Sequence, residues 1–144
     1  MSPKRRLLIK GVATIASAIA LLPSVLMAAW PKQAFISTTR DQVLSELFDE
    51  QHVTPSDAIQ IKLDKRVESG DSVPIEVSTT LQDVQSITLL LSNNPHPLAA
   101  NVRFEKSAVP FLATRLKLND SSEVTAIVKT AEGLYSHQEQ IRIL

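Results

Sequence analysis

The sequence predicts an all-β fold: a sandwich of about seven short strands behind one short N-terminal amphipathic helix. Three observations lead there. Beyond Pro55 the apolar residues recur with a period of two, the period of a half-buried strand. Turn residues interrupt that alternation roughly every ten positions. Ahead of Pro55 one stretch keeps the helical period instead.

The elements follow in chain order. Trp30 to Phe35 is short and broken by Pro31. Thr39-Arg40-Asp41-Gln42 has the spacing of a capping box, in which the Thr and Gln side chains satisfy each other's exposed amides, so a helix starts there. Val43, Leu44, Leu47 and Phe48 then share one face, while Gln42, Ser45, Glu46 and Asp49 point away. Such a helix lies on an apolar surface, and it is expected to end before Pro55.

Ile59, Ile61 and Leu63 alternate with Gln60 and Lys62 as the first strand. After the turn Ser69-Gly70-Asp71, Val73, Ile75 and Val77 form the second; Pro74 puts it at a sheet edge or marks a strand start, because proline donates no ladder hydrogen bond. Ile87 to Leu91 is apolar except for Thr88 and reads as a strand buried on both faces. Leu98 to Phe104 alternates again, and from Phe111 to Leu118 the residues Leu112, Thr114, Leu116 and Leu118 face one way. Asn119 to Ser122 is turn chemistry. Val124, Ala126 and Val128 make the sixth strand, and Leu134 to Leu144 the last. Seven strands with regular turns over about 100 residues is the pattern of an immunoglobulin-like β-sandwich.

Residues 1–29 read differently. Lys4-Arg5-Arg6 precedes Leu7-Leu8-Ile9, an apolar and small-residue run reaches Ala28-Ala29, and no acidic residue occurs before Asp41. A basic start, an apolar middle and a small-residue cleavage site make an export signal, and the adjacent Arg5 and Arg6 fit its twin-arginine variety. A spanning helix needs about 20 apolar residues, a length reached here only by including Lys10, Gly11 and Pro23. The expectation is cleavage near Ala28 or Ala29 and a domain over residues 30–144 outside the cytoplasm, without stable membrane insertion.

Four of the fifteen basic residues precede residue 29, so the domain keeps eleven bases against fifteen acids, a net charge of −4. An acidic surface without clustered Lys and Arg argues against nucleic acid as a partner. There is no cysteine, which excludes a thiol nucleophile, a thiolate metal site and disulfide staples.

Candidate chemistry is sparse. His52, His96 and His137 have no second His or carboxylate at ligand spacing, so no metal is expected. Glu139 shares a strand face with His137 and reads as a solvated surface pair. The three glycines are isolated and make no phosphate-cradling loop, and no serine has the setting of a nucleophile. No enzymatic activity, catalytic residue or cofactor is expected. One segment exceeds what a hairpin needs: Ser92-Asn93-Asn94-Pro95-His96-Pro97-Leu98, stiffened by two prolines. It is either a pre-ordered binding loop or a device that stops a strand and blocks edge pairing.

Several segments together resemble the SoxY family, the carrier subunit of the SoxYZ complex of bacterial thiosulfate oxidation. They are the twin-arginine leader, Ala29-Trp30-Pro31, the short helix, Gly70-Asp71-Ser72-Val73-Pro74, Asn94-Pro95-His96-Pro97-Leu98, Ser122 to Lys129, and Tyr135-Ser136. The resemblance implies an immunoglobulin-like subunit that pairs with SoxZ in the periplasm, meets other sulfur-oxidation enzymes transiently, and carries sulfur on a cysteine in a C-terminal Gly-Gly-Cys-Gly-Gly tail. A thiolate is the nucleophile such chemistry requires, and flanking glycines make a thin, flexible arm.

The 144 residues stop where that tail would begin. Three readings stand: a SoxY-like carrier whose tail lies beyond Leu144 or is lost, a tailless paralogue that binds a SoxZ-like partner without carrying, and an unrelated exported β-sandwich for binding.

Overall fold

The computed structural model describes residues 31–49 and 52–144. The expected export signal, with Arg5 and Arg6, lies outside the described residues. Helices α1 (Lys32–Ile36) and α2 (Arg40–Leu47) precede nine strands: β1 (Val53–Pro55), β2 (Ile59–Lys62), β3 (Arg66–Val67), β4 (Val73–Thr79), β5 (Val84–Leu91), β6 (Leu98–Arg103), β7 (Phe111–Leu116), β8 (Ser122–Thr130) and β9 (Leu134–Ile143).

Two sheets form the sandwich. One has the order β1-β9-β8-β5-β6, with β3 also pairing β9, and the other has the order β2-β4-β7. This is the expected immunoglobulin-like arrangement. The strand and helix counts differ from the sequence expectation of seven and one. The added strands β1 and β3 hold three and two residues, too few to show a period, and both pair in parallel with β9. The added helix α1 has five residues in the stretch read as Pro-broken; a proline just before a helix suits its start rather than interrupting it.

The two faces of the larger sheet explain the composition of its strands. Ile87, Leu89 and Leu91 of β5 pack with Ile75, Val77, Leu112, Leu116, Val124 and Val128 in the core between the sheets. Leu90, pointing the other way, joins Ile127 and Leu134 in a second core with Ala34, Val43, Leu44 and Phe48. Thus β5 is buried on both faces, as its unbroken apolar run predicts. The helices cover the outer face because the sandwich supplies only one apolar partner layer. Each of Val43, Leu44 and Phe48 is nearly fully buried, and such burial contributes about 1.5–3 kcal/mol per side chain.

Local chemistry fixes the helix. Thr39, in extended geometry at φ −127° and ψ 153°, accepts the Gln42 amide on its side chain at 3.2 Å. The return bond lands one residue earlier than a strict capping box, from the Thr38 amide to Gln42 Oε1 at 3.1 Å. Pro74 sits one residue into β4, opposite Arg115 of β7, while the β2 ladder ends at Glu76. The strand-start reading of Pro74 therefore holds, although β4 is the central strand of its sheet.

Candidate functional site

The Pro-rich loop, the Gly70 turn and the β7–β8 turn meet at one end of the sandwich. Asn94 joins two of them: its Nδ2 donates to the Lys117 carbonyl at 3.0 Å, and its Oδ1 accepts the Asn119 amide at 3.4 Å. Asn93 donates from its backbone to Ser122 Oγ at 3.3 Å and from its side chain to the Ser121 carbonyl. Ser92 Oγ accepts the Glu123 amide at 2.9 Å. Gly70 completes the cluster, accepting the Leu118 amide at 2.7 Å.

The last residues of β9 are held at this same end. The Ile143 amide donates to Ser121 Oγ at 2.9 Å, and the Leu144 amide to the Val67 carbonyl at 2.9 Å. A Cβ on Gly70 would sit 2.8 Å from Ile143 Cδ1, so the absence of a side chain there makes room for the strand end. On the loop's other flank His96 Nδ1 donates to the Ser37 carbonyl at 3.3 Å, tying the loop to the α1–α2 connection. The sequence leaves open whether this loop binds or merely ends a strand. In the structure the loop joins β5 to β6 and braces the segments it bonds to.

Among the described residues every buried side-chain polar atom has a partner, and the serines at this end are occupied as backbone acceptors. The remaining histidines lie elsewhere. His52 is exposed. His137 Nε2 meets Glu139 Oε1 at 3.1 Å, and the same carboxylate reaches Lys65 at 3.7 Å. The pair read as solvated is thus a surface hydrogen bond beside the Lys65–Glu139 ion pair, which is worth about 1 kcal/mol or less. Among the described residues no three His, Cys, Asp or Glu gather at metal-binding distance.

The model for the family "Sulfur oxidation protein SoxY" matches residues 44–144. The chain belongs to the SoxY family. Among solved structures it is similar to the sulfur carrier protein SoxY from Chlorobium limicola f thiosulfatophilum, with a TM-score of 0.67, 22% identity, and coverage of 72% of this chain and 94% of that one. It is also similar to a superoxide reductase (neelaredoxin) from Ignicoccus hospitalis, with a TM-score of 0.55, 21% identity, and coverage of 60% of this chain and 80% of that one. At such identities the likeness is one of fold. No curated protein matches the chain.

Three of the segments that carry the SoxY resemblance in the sequence come together in space. Gly70 to Pro74, Asn94 to Leu98 and the start of the Ser122–Lys129 run converge on the end of β9, although they are spread over more than fifty positions. Sequence reasoning missed a second feature. On the outer face of the larger sheet, Arg103 and Lys129 lie across β5 from each other, beside a recess under the end of α2. Its residues come from three strands and a helix, so no local pattern marks it.

Proposed function

We propose that this chain is the SoxY-type subunit of a periplasmic carrier complex for the oxidation of sulfur compounds such as thiosulfate. In this reading it pairs with a SoxZ-like subunit and has no catalysis of its own. The observation that carries the reading is the SoxY match running from α2 through β9. The signal-like residues 1–29, with Arg5 and Arg6, support export by the twin-arginine route.

The fold suits a docking body. The smaller sheet ends on β7, and at the start of that strand Val109 is 83% and Phe111 48% exposed. An apolar pair beside a free strand edge is a surface a partner chain covers, and we assign it to the SoxZ-like subunit. Covalent sulfur transport needs a thiolate, and the 144 residues contain no cysteine. Covalent carriage by these 144 residues alone is therefore no part of this reading.

The test is co-purification from the periplasm of the native host. The tagged full chain is expected to retain a SoxZ-like protein at moderate salt. Replacing Arg5 and Arg6 by Lys is expected to leave the chain in the cytoplasmic fraction. A chain that reaches the periplasm alone, and holds no SoxZ-like protein there, refutes the pairing. The codons after Leu144 test carriage separately: a Gly-Gly-Cys-Gly-Gly stretch makes the subunit a carrier, and its absence in every frame makes it a non-carrying partner.

A further inference from the structure

The recess on the outer face of the larger sheet has a built character of its own. Ser86 stands opposite Arg103 on β6 and opposite Lys129 on β8, so the three form one row across the sheet. The register shifts between Val84 and Ser86, inserting Gln85 as a bulge. A bulge turns two successive side chains toward one face instead of opposite faces, and both Gln85 and Ser86 line the recess. Asn101, one row further, accepts the Thr88 hydroxyl on Oδ1 at 2.9 Å, which leaves its Nδ2 as the donor for the recess. Phe48 forms the wall beneath α2 and lies 5.7 Å from Lys129 Nζ, close enough for a cation–π contact that holds the ammonium in place.

The charge is one-sided. The ion pairs of the described residues use Lys62 and Lys65, so Arg103 and Lys129 have no carboxylate partner among them. No Asp or Glu stands among the described lining residues. In a domain with more acids than bases, two cations therefore face one space of 330 Å³ together with neutral donors from Ser, Asn and Gln. Their backbones are two strands apart, about 10 Å. That gap suits an anion that both side chains reach from opposite sides, and an anion between them relieves their mutual repulsion.

We propose that this recess binds a small doubly charged oxyanion of the size and shape of sulfate, held between Arg103 and Lys129 and hydrogen-bonded by Ser86, Asn101 and Gln85. The site stands on this geometry alone, whether or not the chain pairs with a SoxZ-like subunit. Two cations set the charge of the ligand. Donors without an anionic acceptor set its type, and the short span between the strands sets its size.

The test is calorimetric titration of sodium sulfate, and separately sodium thiosulfate, into the full chain at low ionic strength. Saturable binding at one site is expected, weakening as sodium chloride is raised. Arg103→Gln and Lys129→Gln are each expected to weaken it at least tenfold, and the double variant to abolish it. Lys62→Gln, an exposed cation on β2 of the smaller sheet, is expected to bind as the parent does. Melting curves establish that each variant is folded. No saturable uptake of either anion by the parent, or equal affinity in the folded double variant, overturns the proposal.

Discussion

The Gly70 carbonyl accepts the Leu118 amide at 2.7 Å, an approach that only a residue without a side chain permits. A Cβ at Gly70 would overlap the Leu118 carbonyl oxygen and crowd both Ile143 Cδ1 at 2.8 Å and Leu118 Cβ at 3.1 Å. Gly70 is therefore required by contact with its neighbours, the Leu118 backbone first and the Ile143 side chain at the end of β9 second.

Gly70→Ala is accordingly expected to destabilise the domain by about 2 kcal/mol, in the range of overpacked sites where backbone must shift. Urea denaturation checks this through a lower midpoint at unchanged slope. A variant as stable as the parent contradicts the account of this end of the sandwich.

Leu89 and Leu90 of β5 are both almost fully buried but belong to different cores. Replacing either by Ala is expected to cost about 3 kcal/mol, the usual loss when a buried leucine leaves a cavity. A surface-only helix layer predicts otherwise, with Leu90→Ala costing under about 1 kcal/mol. Chemical denaturation of the two single variants decides between them.

At the start of α2 the Thr39 hydroxyl serves an amide that has no intrahelical partner. Thr39→Ala is expected to lower stability by about 1 kcal/mol, while Thr39→Ser or Thr39→Asp restores most of it. Thermal melting of the three variants provides the check.

Carriage has a simple chemical consequence. Because the 144 residues contain no thiol, a polypeptide of these residues is expected to gain no mass on incubation with thiosulfate, read by intact-mass spectrometry. A sulfur adduct on it would show that a hydroxyl, amine or imidazole of the domain carries the cargo instead.

The sequence makes the longer elements visible because each carries its own period. The β5 run from Ile87 to Leu91 announces two buried faces, and Thr39 with Gln42 announces a cap, wrong only in which amide the Gln side chain meets. The strands β1 and β3 are too short for a period, and they exist because β9 offers them a parallel edge. Asn94 reads locally as part of a stiff loop; its bonds to Lys117 and Asn119 span more than twenty positions and appear only in the fold. Arg103 and Lys129 are likewise silent as separate residues. They become a pair through Ser86, which each strand finds opposite itself.

Pairing is the claim on which the proposed function rests most heavily. Its direct measurement is light scattering on a size-exclusion column, with residues 30–144 mixed with the SoxZ-like protein of the same organism. A complex with the mass of one copy of each is expected, and Phe111→Glu on the exposed start of β7 is expected to weaken it at least tenfold while leaving the fold intact. Two proteins that elute separately at micromolar concentrations, each at its own mass, contradict the account.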